Sequence, residues 1–234
     1  EPFKGLFTQG MVCHETYKDE NNKWLSPDEV ETNNKKDFYE KNNLAKKVTV
    51  GPVESMSKSK KNTIDPEAIV KNYGADAVRF FILSDSPPEK DIRWSDQGIT
   101  AAYKFIQKVW NLHNRIKEVL DKKNSISSDE KNNIELLEFT NSLIKKISTN
   151  MENFSYNVII ANFHEAYNFF NNTINKDIDN KILKESYIKV LLLMHPFIPH
   201  FASECLEELD SKSTVSWPKY EERYLEKNEV EIVI

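Results

Sequence analysis

Apolar side chains recur every three or four residues along most of the second half of this 234-residue chain. One run contains Phe105, Val109 and Ile116, and comparable runs continue to about Leu209. Such spacing places the apolar side chains on one face of an α-helix. All five glycines lie within the first hundred residues, although a doubly wound sheet needs tight turns throughout. The sequence therefore predicts a mainly α-helical protein, in which a small α/β part precedes an antiparallel helical bundle.

The first sixty residues carry the strand signals. Residues 6–13 are predicted to form a buried strand in which Gly10 permits close approach of the backbone. Residues 14–47 are rich in Lys, Asn, Asp and Glu and indicate a small surface insertion with short strands. A further strand over residues 47–50 is predicted to stop at Gly51 and Pro52, a pair typical of turns.

Two short helices are predicted after a polar loop over residues 53–64. Asp65 is suited to cap the first of them, with Pro66 at its first position and Gly74 just past its end. The second runs from Ala75 to Leu83 and has one apolar face.

Within the bundle, Ser155 is the predicted cap of one helix. The prolines of residues 195–200 break the helical pattern before a final helix over residues 201–209. His195 and His200 flank these prolines, and capping or packing is the interpretation we favour for both.

Composition excludes several classes of protein. The net charge of −5 argues against a uniformly basic coat for nucleic acid, although a local basic patch is compatible with it. Cys13 and Cys205 are too few for a disulfide framework, and the five histidines lack zinc-ligand spacing, so we expect no protein-bound metal. No stretch is long and apolar enough for a membrane span, and no secretory leader is seen. We therefore expect a cytoplasmic protein with reduced thiols and no membrane partner.

The segment Ser55-Met56-Ser57-Lys58-Ser59-Lys60-Lys61-Asn62 carries the clearest chemistry. It places ammonium groups and hydroxyls on a loop between a strand and a helix. Lysines can meet the charge of a polyphosphate, and hydroxyl and backbone N–H groups can donate to its oxygens. Composition alone also allows an ordinary solvated loop, since basic loops are common.

This segment resembles the K-M-S-K-S signature of class I aminoacyl-tRNA synthetases. Other phrases resemble, in order and spacing, the bacterial-type leucyl-tRNA synthetase family. They are Leu6-Phe7-Thr8-Gln9-Gly10-Met11-Val12, Trp24-Leu25-Ser26-Pro27, Tyr73-Gly74-Ala75-Asp76-Ala77-Val78-Arg79 and His195-Pro196-Phe197-Ile198-Pro199-His200. The resemblance covers essentially the whole chain and implies a C-terminal portion of such an enzyme.

The resemblance implies residue roles in the activation of leucine by ATP, which magnesium accompanies. Lys58 matches the second signature lysine and is the expected catalytic and ATP-binding residue, together with Met56, Ser57 and Ser59. Ser55 stands where the family has the first lysine, so the loop has lost one cation, for which Lys60 or Lys61 is a conceivable substitute. Gln9 and Gly10 form a possible active-site strand, with a simple packing role for the glycine as the alternative.

The resemblance also implies a division of the chain and a set of partners. It predicts the end of a Rossmann-like catalytic domain at 1–64, containing an insertion at about 14–50 and the signature loop at 55–59; stem-contact helices at 65–94; a helical tRNA-binding domain at 95–210; and a linker with the start of a truncated domain at 211–234. The expected partners are tRNA(Leu), leucine and ATP, and the expected state is a monomer. The N-terminal phosphate motif of the family is missing, so we expect this piece alone to be inactive.

The sequence is also compatible with two other functions. One is a non-catalytic RNA-binding module, and the other is a different aliphatic class I synthetase. Several side chains also have two interpretations. Trp94, Trp110 and Trp217 could stack on bases or pack internally. The cations Arg115, Lys117, Lys145 and Lys146 could contact tRNA phosphates or lie on solvated helix faces.

Two more polar residues have interpretations of their own. His14 is expected at the surface, outside the catalytic machinery. Asn162 is expected to be a satisfied polar residue of the core.

Overall fold

α-Helices account for most of the described residues, as the apolar spacing predicts. The computed structural model describes residues 2–3, 5–33, 37–122, 128–209 and 216–225. In these ranges the helices are α1 (Pro66–Tyr73), α2 (Ala75–Ser84), α3 (Asp96–Asp121), α4 (Glu130–Glu152), α5 (Tyr156–Thr173), α6 (Asn180–Met194) and α7 (Pro199–Glu208). The mainly α fold with a small sheet region is therefore confirmed. None of the described helices is both long and apolar enough to cross a membrane.

Two small sheets precede the helices. The strands are β1 (Val12–Lys18), β2 (Trp24–Leu25), β3 (Val30–Thr32), β4 (Phe38–Glu40), β5 (Asn43–Lys47), β6 (Thr49–Ser55) and β7 (Ile92–Arg93). Strand β1 is central in the first sheet, antiparallel to β2 and β6 and parallel to β7. Strands β3, β4 and β5 form the second, an antiparallel meander within the predicted insertion.

The predicted strand at residues 6–13 is wrong over most of its length, because β1 begins only at Val12. The backbone before it is tied to a turn instead. Gly10 N donates to Pro88 O at 2.9 Å, and Met11 N donates to Asp91 Oδ1 at 2.8 Å. Leu6 is 90 % exposed, so this segment is not a buried strand in the described structure.

The predicted strand end at Gly51 and Pro52 is also wrong, because β6 continues to Ser55. Among the described residues β6 pairs with β1 alone, and an edge strand tolerates proline because its outer N–H groups need no partner. Gly51 lies opposite Thr16, where a Cβ would overlap the threonine hydroxyl. The absence of a Cβ at Gly51 therefore allows β6 to pass close to Thr16 of β1.

Side-chain caps fix most of the helix starts. Asp65 accepts from Glu67 N at 3.0 Å at the start of α1, as predicted. Gly74 has a φ of +81° between α1 and α2, a conformation that side-chain-bearing residues rarely adopt. Ser155 occupies the N-cap position of α5, as predicted, but its side chain makes no capping hydrogen bond. Part of the predicted linker and truncated domain at 211–234 lies outside the described residues.

The main core lies among helices α2 to α7. Its fully buried side chains include Phe163, Phe170 and Phe197, and burial of one such ring contributes about 1.5–3 kcal/mol. Both cysteines are buried free thiols, and burial raises the pKa of Cys205 above its ordinary value. Gly98 of α3 faces the ring of Phe81, so that a Cβ there would overlap the ring. Helices α2 and α3 can therefore approach closely.

Helix α2 connects the two sides of the proline break. The first residues of α7 have no local side-chain cap. Instead Asp76 accepts from Phe201 N at 2.7 Å and from His200 N at 3.3 Å. One turn further along, Arg79 donates to Pro196 O at 2.6 Å and to Phe197 O at 3.1 Å. We call Asp76 and Arg79 the α2 clamp, since they satisfy backbone groups that the break leaves without helical partners.

Replacement of Asp76 tests the clamp. Asp76→Asn keeps the shape but points an N–H₂ group or a weaker acceptor at two amide donors. We expect the free energy of unfolding in urea to fall by about 1–3 kcal/mol. Asp85→Asn at the exposed end of the same helix is the control and should change it little. Equal effects of the two substitutions would contradict the capping role.

A buried histidine gives a second prediction. His113 has a fully buried side chain whose Nε2 lies 2.8 Å from Glu208 Oε2, while its Nδ1 has no partner among the described residues. Burial lowers the pKa of His113 below its ordinary value of 6.5, and the hydrogen bond to Glu208 only partly opposes this. Protonation of the ring would add a buried N–H at Nδ1, and this N–H would have no acceptor among the described residues. The folded state therefore favours neutral His113.

The unfolded chain takes up a proton at the ordinary pKa, so stability should decrease as the pH falls through about 6.5, by at most ~1.4 kcal/mol per pH unit for one group. Burial also lowers the pKa of His164, so His113→Gln and His164→Gln are measured separately. Urea unfolding at about pH 7.5 and about pH 5.5 should show a smaller pH-dependent loss in each variant than in the parent. An unchanged loss in His113→Gln would exclude its contribution.

Candidate functional site

The signature loop leaves the free end of the first sheet. Ser55 is the last residue of β6, and residues 56–65 connect it to α1. Met56 N donates to Val12 O at 3.2 Å, which continues the pairing with β1 for one more residue. The loop therefore begins beside the central strand.

Asn62 closes this loop on the sheet, although the sequence pattern did not single it out. Its side chain is fully buried. Its Nδ2 donates to His14 O at 3.3 Å and to Glu54 O at 3.2 Å, and these two residues face each other across β1 and β6. Its Oδ1 accepts from Ser57 N at 2.8 Å. The position of Asn62 at the end of a Lys- and Ser-rich run looks solvated in sequence, so no local signal marks it as buried.

A tight turn shapes the part of the loop between these bonds. Lys61 N donates to Lys58 O at 3.3 Å, and Lys61 has a φ of +56°. The hydroxyls of Ser57 and Ser59 lie 2.8 Å apart. The predicted ATP-binding residues thus form one compact group that is anchored by Asn62.

The three lysines of the loop are in different electrostatic states. Lys60 is ion-paired with Glu54, and Lys61 Nζ lies 3.6 Å from Glu29 Oε2. The Lys58 side chain is exposed and has no hydrogen bond or ion pair within the described part of the chain. An anion that approaches the loop would therefore not compete with a carboxylate for Lys58, whereas it would for Lys60 and Lys61.

Ser55 stands where the family signature has a lysine, and its side chain makes only a weak contact with its surroundings. Its hydroxyl lies 3.9 Å from Cys13 Sγ, a weak contact. Lys60 and Lys61, the conceivable substitutes for the missing cation, are both engaged by carboxylates in this structure. Lys58 is thus the loop lysine without a carboxylate partner among the described residues.

Gln9 and Gly10 lie outside any strand, in the segment before β1. Gly10 packs against the turn at residues 88–91, where a Cβ would overlap the Lys90 carbonyl group. This close approach supports the packing role for the glycine. Gln9 is exposed, and no hydrogen bond joins either residue to the signature loop within the described residues. Their possible contact with a substrate stays a prediction.

An acidic and aromatic cluster lies on the same sheet. Tyr17 OH donates to Glu15 Oε2 at 3.0 Å, and Glu15 is ion-paired with Arg93. Burial, followed by the nearby Glu15 charge, raises the pKa of Tyr17 well above its ordinary range. His14 is half-buried, and its Nδ1 lies 2.9 Å from Glu15 O, which can accept a hydrogen bond from it. These contacts give the cluster a structural role.

The tryptophans and histidines of the helical region have distinct environments. Trp94 packs edge-on against Phe81 and donates to Asp96 Oδ1 at 3.0 Å, which supports the packing interpretation. Trp217 donates to Ser148 Oγ at 2.8 Å. His195 Nε2 lies 3.2 Å from Ser203 Oγ, and His200 Nδ1 lies 2.9 Å from Asp76 Oδ1, contacts that support the capping or packing interpretation. Trp110 is half-buried, and Asn162 is half-buried with an amide partner in Asn150.

Most of the bundle cations singled out by the sequence have partners. Lys117 pairs with Glu208 at 2.9 Å and Lys146 with Glu165 at 3.2 Å. Lys145 lies 5.7 Å from the centre of the Tyr220 ring. Arg115 donates to the Asn171 amide oxygen at 2.7 Å, so its charge is not neutralised by that contact.

Two family models match the chain in the regions that contain these features. Residues 48–95, with the signature loop, match the model described as tRNA synthetases class I (I, L, M and V). Residues 133–234 match the anticodon-binding domain of tRNA ligase. Sheet end, loop and bundle thus correspond to a segment of a class I tRNA synthetase.

Curated relatives identify the branch. The leucine–tRNA ligase of Rickettsia bellii is 43 % identical over 230 residues, which are 97 % of this chain and 27 % of that protein. The leucine–tRNA ligase of Orientia tsutsugamushi is 42 % identical over 233 residues, 98 % of this chain and 27 % of its own length. The chain therefore belongs with the leucine–tRNA ligases, of whose length it spans about a quarter.

A solved structure agrees with this assignment. The ternary complex of Agrobacterium radiobacter K84 agnB2 LeuRS with tRNA and LeuAMS superposes with a TM-score of 0.66 and 25 % identity. The match covers 74 % of this chain and 23 % of the other. The fold of this chain is thus that of a leucyl-tRNA synthetase segment.

Replacement of Asn62 tests the anchoring of the loop. Asn62→Asp keeps the acceptor for Ser57 N but removes both donors and places an oxygen against the His14 and Glu54 carbonyls. We expect trypsin to cleave after Lys58, Lys60 and Lys61 roughly tenfold faster, because the open loop becomes more populated. Asn43→Asp is the control, since exposed Asn43 uses only its acceptor oxygen. Equal cleavage in both variants would exclude an anchoring role.

Proposed function

We propose that this chain is part of an enzyme that ligates leucine to tRNA(Leu). In the first step the leucine carboxylate attacks the α-phosphate of ATP, and pyrophosphate leaves. In the second, a terminal ribose hydroxyl of the tRNA attacks the leucyl carbonyl, and AMP leaves. The observation that carries the proposal is the identity of 42–43 % to leucine–tRNA ligases over almost the whole chain, including the signature loop.

Lys58 has the chemistry that the first step requires from this loop. Negative charge grows on the departing pyrophosphate, and a positioned ammonium group stabilises it more in the transition state than in the ground state. The lack of a competing carboxylate at Lys58 supports this role. The hydroxyls of Ser57 and Ser59 can donate to phosphate oxygens beside it, with Met56 as the signature residue preceding them.

Magnesium enters this proposal only as the companion of ATP. Among the described residues, no group of three or more His, Cys, Asp or Glu side chains is arranged to hold a metal ion. The loop contributes ammonium and hydroxyl groups instead.

The proposed division of labour follows the predicted domains. Residues 1–64 contribute the end of the catalytic domain, 65–94 the stem-contact helices, 95–210 the tRNA-binding bundle and 211–234 a linker. The match of residues 133–234 to an anticodon-binding model supports tRNA as the partner of the bundle. We further propose that the whole enzyme acts as a cytoplasmic monomer.

A segment exchange tests the proposed function. The Rickettsia bellii leucine–tRNA ligase carrying this chain in place of its own matching segment should catalyse leucine-dependent exchange between ATP and pyrophosphate. Lys58→Ala in that protein should lower the exchange rate roughly 100- to 1000-fold, the usual cost of one preorganised contact. Lys71→Ala, on an exposed lysine at the end of α1, is the matched control and should change it little.

Three results would contradict the proposal. Exchange that depends on another aliphatic amino acid would point to a different class I synthetase. A correctly folded exchange protein that binds tRNA without any exchange activity would favour a non-catalytic RNA-binding module. A Lys58→Ala rate within a few-fold of the parent would exclude the role of Lys58 alone.

A further inference from the structure

An open pocket of about 700 Å³ lies where α1 and α2 meet α3 and α7. Tyr73 and Gly74 line one side, Trp110 and Asn111 of α3 line another, and His200 of α7 closes the third. Pockets for small ligands and cofactors have volumes of about 300–1,000 Å³, so a nucleotide-sized group fits.

The walls combine flat aromatic surface with neutral polar groups. Trp110 and Tyr73 are both half-buried, so each is held by the fold while part of its ring stays accessible. Gln107 and Asn111 are exposed on α3 at the rim and offer amide donors and acceptors. An unstacked nucleobase is recognised by aromatic stacking and by hydrogen bonds to its edge.

The one carboxylate in the pocket does not make it an anion-repelling or cation-binding site. Asp76 is buried, and its oxygens accept from His200 N, His200 Nδ1 and Phe201 N. Its charge is therefore directed at the first turn of α7. The remaining pocket-lining side chains are neutral or, in His200, a potential donor.

Helix α3 supplies an unusual charge pattern next to this pocket. Acids make up 37 of the 234 residues, about one in six, yet none occurs between Asp96 and Glu118. That stretch contains Lys104, Lys108, Arg115 and Lys117, and at about 100° per residue the first three fall within ~40° of each other on the helix surface. Asn111 of the pocket rim lies beside them on the same helix.

The three cations are not neutralised by acids in the described structure. Lys104 and Lys108 are exposed and have no ion pair there, and Arg115 contacts only the Asn171 amide. We call Lys104, Lys108 and Arg115 the α3 stripe.

We propose that the pocket takes up one unpaired nucleobase of the bound tRNA, while phosphates of the same strand lie along the α3 stripe. The inference rests on the proposed function, which supplies tRNA as the partner. Phosphate contacts to the stripe give affinity, and stacking on Trp110 with an amide contact from Asn111 holds the base. RNA fits better than a protein segment, because Asn111 of the pocket rim lies between Trp110 and the α3 stripe around the helix. A strand that crosses this rim can place a base in the pocket and its neighbouring phosphates on the stripe.

Binding of a tRNA(Leu) transcript to the 234-residue chain, measured over a range of salt concentrations, tests both parts. Trp110→Leu should weaken binding roughly 5- to 150-fold, the range for the loss of one base–aromatic stack, with an unchanged salt dependence. Lys104→Gln with Lys108→Gln should weaken binding and reduce the slope of log K against log salt concentration by about 1.5 to 2. Lys181→Gln with Lys184→Gln on α6 is the matched charge control and should leave the slope unchanged.

Chemical probing of the bases separates uptake of a base from a structural effect. With the parent chain, one unpaired base should be protected from dimethyl sulfate, and Trp110→Leu should restore its reactivity. Asn111→Ala is a second variant, on an exposed side chain that the core does not need, and should weaken binding in the same direction. Thermal unfolding of each variant verifies that it is folded.

The outcomes distinguish this inference from the proposed function. If tRNA binds but neither Trp110→Leu nor Asn111→Ala changes affinity or base protection, the pocket proposal is overturned while leucine-dependent exchange by the hybrid enzyme still supports the function. If pocket variants impair the hybrid enzyme without altering tRNA affinity, a protein segment occupies the pocket and the proposal is likewise overturned. If exchange itself is absent, the proposed function fails independently of the pocket.

Discussion

The contact of α2 with the proline break determines how the two halves of this molecule are joined. Prolines at positions 196 and 199 interrupt the helical hydrogen bonds and leave backbone groups that the interior cannot leave unpaired. The α2 clamp supplies an acceptor for the amides of α7 and a donor for the carbonyls that precede it. Since α1 and α2 follow the signature loop directly, the same clamp ties the segment carrying the loop to the bundle. It also brings His200 and Phe201 to the pocket beside Trp110.

The signature loop combines a fixed frame with an accessible charge. Asn62 binds carbonyl groups of both strands of a cross-strand pair, so the loop ends are set by the sheet. Lys60 and Lys61 are ion-paired with carboxylates, whereas the Lys58 side chain is exposed to solvent. A preorganised loop of this kind loses little conformational entropy when a phosphate binds, because its ends and turn are already in place.

Periodicity predicted the helices well because each buries a continuous apolar stripe, and Asp65 and Gly74 mark their boundaries by local chemistry. The strands were predicted less well. The Leu6-to-Cys13 run is as apolar as a strand, but its amides pair with a turn some 80 residues further along. Asn62 and the α2 clamp were missed for the same reason. Burial of an amide or a carboxylate depends on partners distant in sequence, and no local pattern records those partners.

Burial of both cysteines has a practical consequence. Neither thiol is exposed, and these two are the entire cysteine content of the sequence. Since the thiolate is the reacting species, a buried thiol with a raised pKa, such as that of Cys205, reacts slowly with alkylating reagents. The chain is thus naturally suited to site-specific attachment of a fluorophore or spin label, because a cysteine engineered at exposed Ser59 would be the one readily modified position. Distances from that label to a second one on the helices would report directly on movement of the loop.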